Sequence, residues 1–178
     1  MGISCVGKAC DMMKITVKDN LLREAANTGM DEFLSVFVHA IKDAIGGELN
    51  AENMAMLNAE QITLLAYDML HDEVMDGGFV QLIHNGYGPF IFLNPFAKAL
   101  KQWGMRDLSK LVYEAHTLYN KYGKEIEQEC SDEEFMALFE QYAEFDDLDD
   151  AFVENEEMFT SQVARYVDEH IEHFVTIE

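Results

Sequence analysis

The spacing of apolar residues along the chain predicts helices over most of its length. The segment MDEFLSVFVHAIKDAI places apolar residues every three or four positions and then meets Gly46-Gly47, a pair typical of a helix end. The next helix is expected to begin after Asn58, with Gln61 at the capping-box position, and to end at Gly77. No segment shows a convincing alternation of period two. The pattern therefore predicts an all-α fold without strands.

The same punctuation continues toward the C-terminus. Asn94 is expected to cap a helix whose first residue is Pro95, and a later helix is expected to end at Gly123. Ser131 and Glu134 form a second capping-box pattern. About eight helices are expected, in one compact multi-helix domain spanning residues 1–178.

The charge is distributed unevenly along this helical pattern. The net charge is −22, and residues 125–178 account for −18 of it, with 19 acidic residues and one base, Arg165. Such a surface attracts basic proteins and repels nucleic acid and anionic membranes. We therefore expect a basic protein as partner, with no direct contact to nucleic acid.

Cysteine usage and hydropathy bear on the compartment. No segment approaches 18 uncharged apolar residues, so no membrane span is expected. The three cysteines, Cys5, Cys10 and Cys130, follow no zinc spacing and leave one thiol over in any pairing. This usage is typical of a reduced protein and predicts a cytoplasmic location.

One segment, DEVMDGGFVQLIHNGYG at residues 72–88, resembles the bacterial DNA-mimic protein family. Asp76 stands where the family has Asn, and Leu82 and Ile83 replace an aromatic pair. The resemblance covers about residues 58–175, and residues 1–57 are expected to add further helices. The matching motif residues are Glu73, Gly77, Gly78, Phe79, Gln81, Asn85 and Gly88.

The resemblance implies an acidic, all-helical dimer. The sequence has no GxSxG, P-loop or dinucleotide-binding motif, so neither enzymatic activity nor a cofactor is expected. Named members of the family occupy a repressor or nucleoid protein in place of DNA. The motif also has a physical interpretation of its own. Gly77-Gly78 lets the chain leave a helix, and Phe79 re-enters the core. Gln81 and Asn85 are expected to bond free backbone groups at the turn.

Mimicry requires carboxylates that stand where phosphates would stand. Acidic residues three or four positions apart on a helix lie roughly 5–6 Å apart at Cβ, and each DNA strand carries one charge per ~3.4 Å of axis. The candidate partner-binding residues form two rows: Asp146, Asp147, Asp149, Asp150, Glu154, Glu156 and Glu157, and then Glu125, Glu127, Glu129, Asp132, Glu133 and Glu134. The alternative is a solvated acidic face on a helical scaffold that has no DNA-binding partner.

Other chemistry has less support in the sequence. The spacing of Asp147, Asp149 and Glu154 is similar to a calcium loop, but Ala151 occupies a ligand position and the central glycine is missing. Asp68 and His71 have the carboxylate–x–x–His spacing of di-iron bundles, but such a site requires two copies, and HIEH is not the zinc-protease motif, so no metal is expected. Cys130 lies in EQECSDEE, whose acidity disfavours a thiolate.

Two further surfaces are left open by the sequence. An enzyme would need a pocket with converging polar groups, for which Gln81, Asn85 and Tyr87 are the candidates. The apolar segment GYGPFIFLNPF is either a buried connection or an exposed dimer contact. The candidate dimer residues within it are Tyr87, Pro89, Phe90, Ile91 and Phe92.

Overall fold

The structure is a computed structural model that describes residues 13–178, so Cys5 and Cys10 lie outside the described residues. The chain divides into two units: residues up to Ile62 together with His170–Glu178, and then Thr63–Glu169. The predicted all-α fold is confirmed. The prediction of a single domain stays a prediction.

Nine α-helices account for most of the described chain. They are α1 Asp19–Thr28, α2 Met30–Ile45, α3 Ala59–His84, α4 Gly88–Phe92, α5 Phe96–Gln102, α6 Arg106–Ile126, α7 Asp132–Gln141, α8 Asp146–Glu169 and α9 Ile171–Phe174. Short 3-10 helices cover Asn53–Met56 and Ala143–Phe145. Among the residues described, no helix is both long and apolar enough to cross a membrane.

The first unit contains a parallel strand pair that the sequence did not predict. Strand β1, Thr16–Val17, pairs with β2, Thr176–Ile177, so that Thr16 faces Thr176 and Val17 faces Ile177. Each strand has only two residues, which is too short to show a period of two. The expectation of no strands was therefore wrong in this small respect.

The start of α3 is fixed by the predicted capping box. The Asn58 side-chain oxygen accepts a hydrogen bond from the Gln61 N–H at 2.8 Å, and the Gln61 side-chain oxygen accepts one from the Asn58 N–H at 3.1 Å. Both side-chain amides then donate to the chain near its C-terminus, Asn58 to the His173 carbonyl and Gln61 to the Phe174 carbonyl, each at 2.8 Å. This confirms the predicted helix start.

The core of the second unit is built around aromatic rings. Phe79 has no exposed surface, and its ring centroid lies 6.4 Å from those of both Phe92 and Phe145. Phe92 also stacks on Tyr119, with centroids 4.9 Å apart. Phe79 thus connects α3 to α4 and to the 3-10 helix that precedes α8.

Two predicted helix boundaries in the second unit are wrong. Helix α6 does not end at Gly123 but continues to Ile126, and a side chain at Gly123 would collide with the Tyr119 ring. Asn94 does not cap α5, because its amide donates to the Phe90 carbonyl at 2.9 Å and Pro95 occupies the capping position. The predicted capping box at the start of α7, between Ser131 and Glu134, is confirmed.

Candidate functional site

The glycine motif produces a sharp kink inside α3. Gly77 has φ −152° and ψ 19°, and Gly78 has φ 73° and ψ −176°, both outside the helical region. The positive φ at Gly78 is one that residues with a Cβ rarely adopt. Because the helix resumes and reaches His84, the prediction that it ends at Gly77 is replaced by a break followed by a second helical segment.

Asp149, in the first turn of α8, binds the backbone at this kink. Its Oδ1 accepts a hydrogen bond from the Phe79 backbone N–H at 2.8 Å. A side chain at Gly78 would collide with the same carboxylate. Burial raises the pKa of Asp149 to about 6, opposed by the Phe79 hydrogen bond and assisted by the nearby charges of Asp146 and Asp150. Asp149 therefore connects the kink to α8.

Three side chains of the motif span the kink from one segment of α3 to the other. Glu73 accepts hydrogen bonds from the amides of Asn85 at 2.8 Å and Gln81 at 3.3 Å, and Gln81 also donates to Asp76 at 2.8 Å. Gln81 and Asn85 were expected to bond free backbone groups, and that expectation was wrong. Their partners are carboxylates, because the kink brings the two segments close enough for side chains to meet.

One face of α8 carries a continuous row of exposed acids, which we call the α8 ridge. Spacings of three and four residues place its members opposite the buried side chains of Phe152, Phe159 and Val163. In the described part of the chain, no base forms an ion pair with any member of this row. The α8 ridge consists of Asp146, Asp147, Asp150, Glu154 and Glu157.

The charge density of the α8 ridge can be compared with that of DNA. With a rise of about 1.5 Å per residue, the ten residue steps from Asp147 to Glu157 span about 15 Å. Asp147, Asp150, Glu154 and Glu157 thus follow one another at a mean separation of about 5 Å. One DNA strand carries a phosphate every ~3.4 Å of axis. The α8 ridge therefore has roughly two-thirds of the charge density of one strand.

The second predicted row follows the end of α6 and the start of α7. We call it the α6–α7 row, and all six members are exposed: Glu125, Glu127, Glu129, Asp132, Glu133 and Glu134. Three of them also bond within the protein. Glu125 accepts from the Tyr142 hydroxyl at 2.7 Å, Glu127 accepts from the Tyr119 hydroxyl at 2.8 Å, and Glu134 completes the capping box.

These bonds shift the titration of the groups involved. Burial raises the pKa of Tyr142 to about 12, and the hydrogen bond to Glu125 acts in the same direction. Burial and the bond to Glu127 likewise raise the pKa of Tyr119 to about 12. The Ser131 backbone and side-chain hydrogen bonds lower the pKa of Glu134.

Two residues predicted for the partner-binding face point inward. Asp149 is half-buried against the kink, and Glu156 is half-buried with its Oε1 2.9 Å from the His71 Nε2 and 2.8 Å from the Thr160 hydroxyl. Their carboxylates already have partners in the second unit. The exposed acidic surface therefore excludes Asp149 and Glu156 and consists of the other eleven predicted residues.

Of the candidate pocket residues, Gln81 lines a shallow cleft, but its amide is already hydrogen-bonded. A shallow cleft of about 510 Å³ is lined by His71, Asp72, Glu73, Met75, Asp76 and Gln81. The Gln81 amide is already bonded to Glu73 and Asp76. Within the second unit, no three of the described His, Cys, Asp and Glu side chains bring ligand atoms close enough to share a metal ion.

The predicted dimer segment is partly core. Ile91 and Phe92 are only 1% and 4% exposed, and Tyr87 and Phe90 are half-buried. Only Pro89 is exposed among the five candidates. Ile91 and Phe92 therefore belong to the core, where the Phe92 ring packs beside Phe79 and Tyr119, whereas Pro89 and Leu93 are exposed.

Sequence comparisons agree with the motif. Residues 55–170 match the family model described as DMP19-like protein. A relative from Neisseria meningitidis serogroup B (strain ATCC BAA-335 / MC58), named DNA mimic protein DMP19, is 35% identical over 127 residues, which cover 71% of this chain and 77% of the relative. The resemblance to the bacterial DNA-mimic family is confirmed. The matched range contains the α3 kink, the α6–α7 row and the α8 ridge.

Proposed function

Because this chain belongs to the DMP19-like protein family, we propose that it is a DNA mimic. It acts without catalysis by occupying the DNA-binding face of a basic transcription factor or nucleoid protein in the bacterial cytoplasm. The observation that carries the proposal is the α8 ridge, a row of exposed carboxylates without a neutralising base in the described residues.

The physical basis is electrostatic complementarity. A surface that binds DNA presents Lys and Arg side chains to a line of phosphates. The α8 ridge offers a line of carboxylates on one helix face, and the α6–α7 row adds six more acids. The ion pair of Lys121 with Glu144 and that of Arg165 with Glu169 involve neither row. A basic partner would therefore meet uncompensated negative charge.

The test begins with capture of partners at low salt, followed by competition with a labelled DNA duplex for each captured DNA-binding protein. We expect the protein to displace the duplex and its affinity to fall steeply as salt rises, since exposed charges are screened over ~8 Å at 0.15 M. Binding that ignores ionic strength, or a complex in which partner, duplex and protein are all present, would refute mimicry.

A matched pair of variants separates the α8 ridge from total charge. The ridge variant carries Asp147→Asn, Asp150→Asn, Glu154→Gln and Glu157→Gln. The control variant removes four exposed acids of the first unit, with Glu24→Gln, Asp43→Asn, Glu48→Gln and Glu52→Gln. Both variants have the same net charge.

We expect the ridge variant to bind its partner roughly fourfold to nearly a thousandfold more weakly, because it loses four exposed ion pairs at about 0.2–1 kcal/mol each. The control variant should bind within about threefold of the wild type, because charges outside the contact act only through the screened long-range field. Equal weakening of the two variants would mean that only net charge matters and would exclude a specific ridge contact.

The second candidate is an acidic helical scaffold without a DNA-binding partner. It is favoured by the ridge's charge density, which is below that of a DNA strand. Captured partners that bind no DNA, with affinity unchanged in the ridge variant, would support the scaffold. Homodimer formation also stays a proposal, and light scattering at several protein concentrations tests it. A contact surface for such a dimer cannot use Ile91 or Phe92, which are buried.

A further inference from the structure

The kink-bearing helix ends at a histidine that faces a cysteine. His84 is the last residue of α3, and its Nε2 lies 4.0 Å from the Sγ of Cys130. Its other ring nitrogen, Nδ1, lies 2.8 Å from the Ile126 carbonyl oxygen. Cys130 is exposed and forms no disulfide with any described residue. The thiol and the imidazole are 46 positions apart in sequence.

The Ile126 carbonyl decides which nitrogen of His84 carries the proton. A carbonyl oxygen can only accept, so Nδ1 must donate the hydrogen of this bond. In the neutral ring, Nε2 then has the free lone pair, and that lone pair faces Cys130. The only hydrogen bond available between the two side chains is one from the thiol to Nε2. The imidazole is thereby oriented as a base toward the sulfur.

The surroundings hold His84 in this position. Ile126 ends α6, so its carbonyl is one of those left without a helical partner, and His84 supplies the missing donor. The end of a helix also stabilises positive charge nearby. The Phe135 ring covers the imidazole, with centroids 4.6 Å apart. The arrangement matches the order of nucleophile, base and orienting group found in activated thiols.

We propose that Cys130 is a modification site that forms mixed disulfides with low-molecular-weight disulfides, with His84 as the general base. The Cys130 sulfur gives its proton to the His84 Nε2 and attacks one sulfur of the disulfide. A new S–S bond forms as the old one breaks. The leaving thiolate takes the proton back from His84 and departs as a thiol, so the exchange needs no further oxidant.

Modification of Cys130 would also disturb partner binding. This consequence rests on the proposed function. Cys130 lies between Glu129 and Asp132 of the α6–α7 row. A group attached to its sulfur would stand within the acidic surface that we propose for partner contact. The exchange itself does not depend on that proposal, and it is tested below without any partner.

The experiment measures the rate of reaction with 2,2′-dithiodipyridine, a neutral disulfide, by stopped-flow absorbance. The protein carries Cys5→Ser and Cys10→Ser, so that Cys130 is its only thiol. The test variant is His84→Asn, whose amide nitrogen replaces Nδ1 as donor to Ile126 but leaves no base toward the sulfur. Cys130→Ser is the blank, and circular dichroism checks that each variant is folded.

We expect His84→Asn to react at least about tenfold more slowly than the parent at neutral pH, since a positioned general base typically contributes about a hundredfold or more. A second comparison needs no change at His84: folded parent should react faster than the same protein unfolded in urea. Equal rates for the parent and a folded His84→Asn variant would overturn the proposal. A folded thiol slower than the unfolded one would overturn it as well.

Discussion

The charge on Asp149 is expected to destabilise the folded protein at neutral pH, although the side chain joins α8 to the α3 kink. We consider the substitution Asp149→Asn, whose side-chain oxygen still accepts the Phe79 N–H. Burial raises the pKa of Asp149 to about 6 in the folded protein, from an ordinary value of 3.8. A difference of roughly two pKa units corresponds to at most about 3 kcal/mol. Because the carboxylate is partly accessible to solvent, we expect its charge to lower the free energy of unfolding by about 1–3 kcal/mol.

The direction of the pH effect follows from the raised pKa. The folded state holds its proton more tightly than the unfolded state, so this contribution to stability is fully present below about pH 4. It is lost as the pH rises through 6. Asp149→Asn should therefore be the more stable protein at pH 7.5 by the amount above, and the difference should shrink toward zero near pH 4.

Urea denaturation followed by circular dichroism, at intervals from pH 4 to pH 8, measures this difference. Asp147→Asn is the matched control, because Asp147 is exposed on the same turn and has no described partner. We expect that variant to change stability by less than about 0.5 kcal/mol at every pH. The reasoning fails if Asp149→Asn is less stable than wild type at pH 7.5, or if its stability difference is independent of pH.

Three further substitutions test the contacts around the site, each by urea denaturation. Gly78→Ala should lower the free energy of unfolding by about 2 kcal/mol or more, because the added methyl group meets Asp149 and φ is positive. Gly86→Ala is the control: φ is also positive but the space is open, so it should cost only about 1 kcal/mol. Equal losses of stability would contradict the collision with Asp149. Glu73→Ala should cost about 1 kcal/mol, because the Asn85 amide loses its acceptor while the Gln81 amide keeps its bond to Asp76; an unchanged protein would show that water replaces the lost acceptor. Tyr142→Phe should lower the free energy of unfolding by about 1 kcal/mol and remove one tyrosine that ionises near pH 12 in an ultraviolet titration. Because the pKa of Tyr142 is higher in the folded protein than in the unfolded chain, the stabilising effect of its hydroxyl is lost only above pH 10.

Features encoded by neighbouring residues were predicted well. The two capping boxes at Asn58 and Ser131 were found from patterns only four residues long, and both are present. Gly123 misled the prediction, because a glycine that makes room for an aromatic ring looks the same in sequence as one that ends a helix. Its role depends on the position of Tyr119, which the sequence does not give.

Contacts between distant positions could not be predicted. The Asp149–Phe79 bond joins residues 70 positions apart, and the pairing of Thr16 with Thr176 joins opposite ends of the chain. The inward orientation of Asp149 and Glu156 did leave a signal. They flank Phe152 at spacings of three and four, in the same stripe as the buried Phe145. A helical repeat counted from these aromatics separates them from the exposed acids.

The two sides of helix α8 have different environments. One side is anchored to the rest of the second unit through Phe152, Phe159 and the Asp149 contact to the bent helix. The other side carries the α8 ridge, whose five carboxylates form no hydrogen bond or ion pair with any described residue. If the α8 ridge is the partner contact, as we propose, substitutions on that outer side would change which protein is recognised while leaving the packed side, and therefore folding, intact.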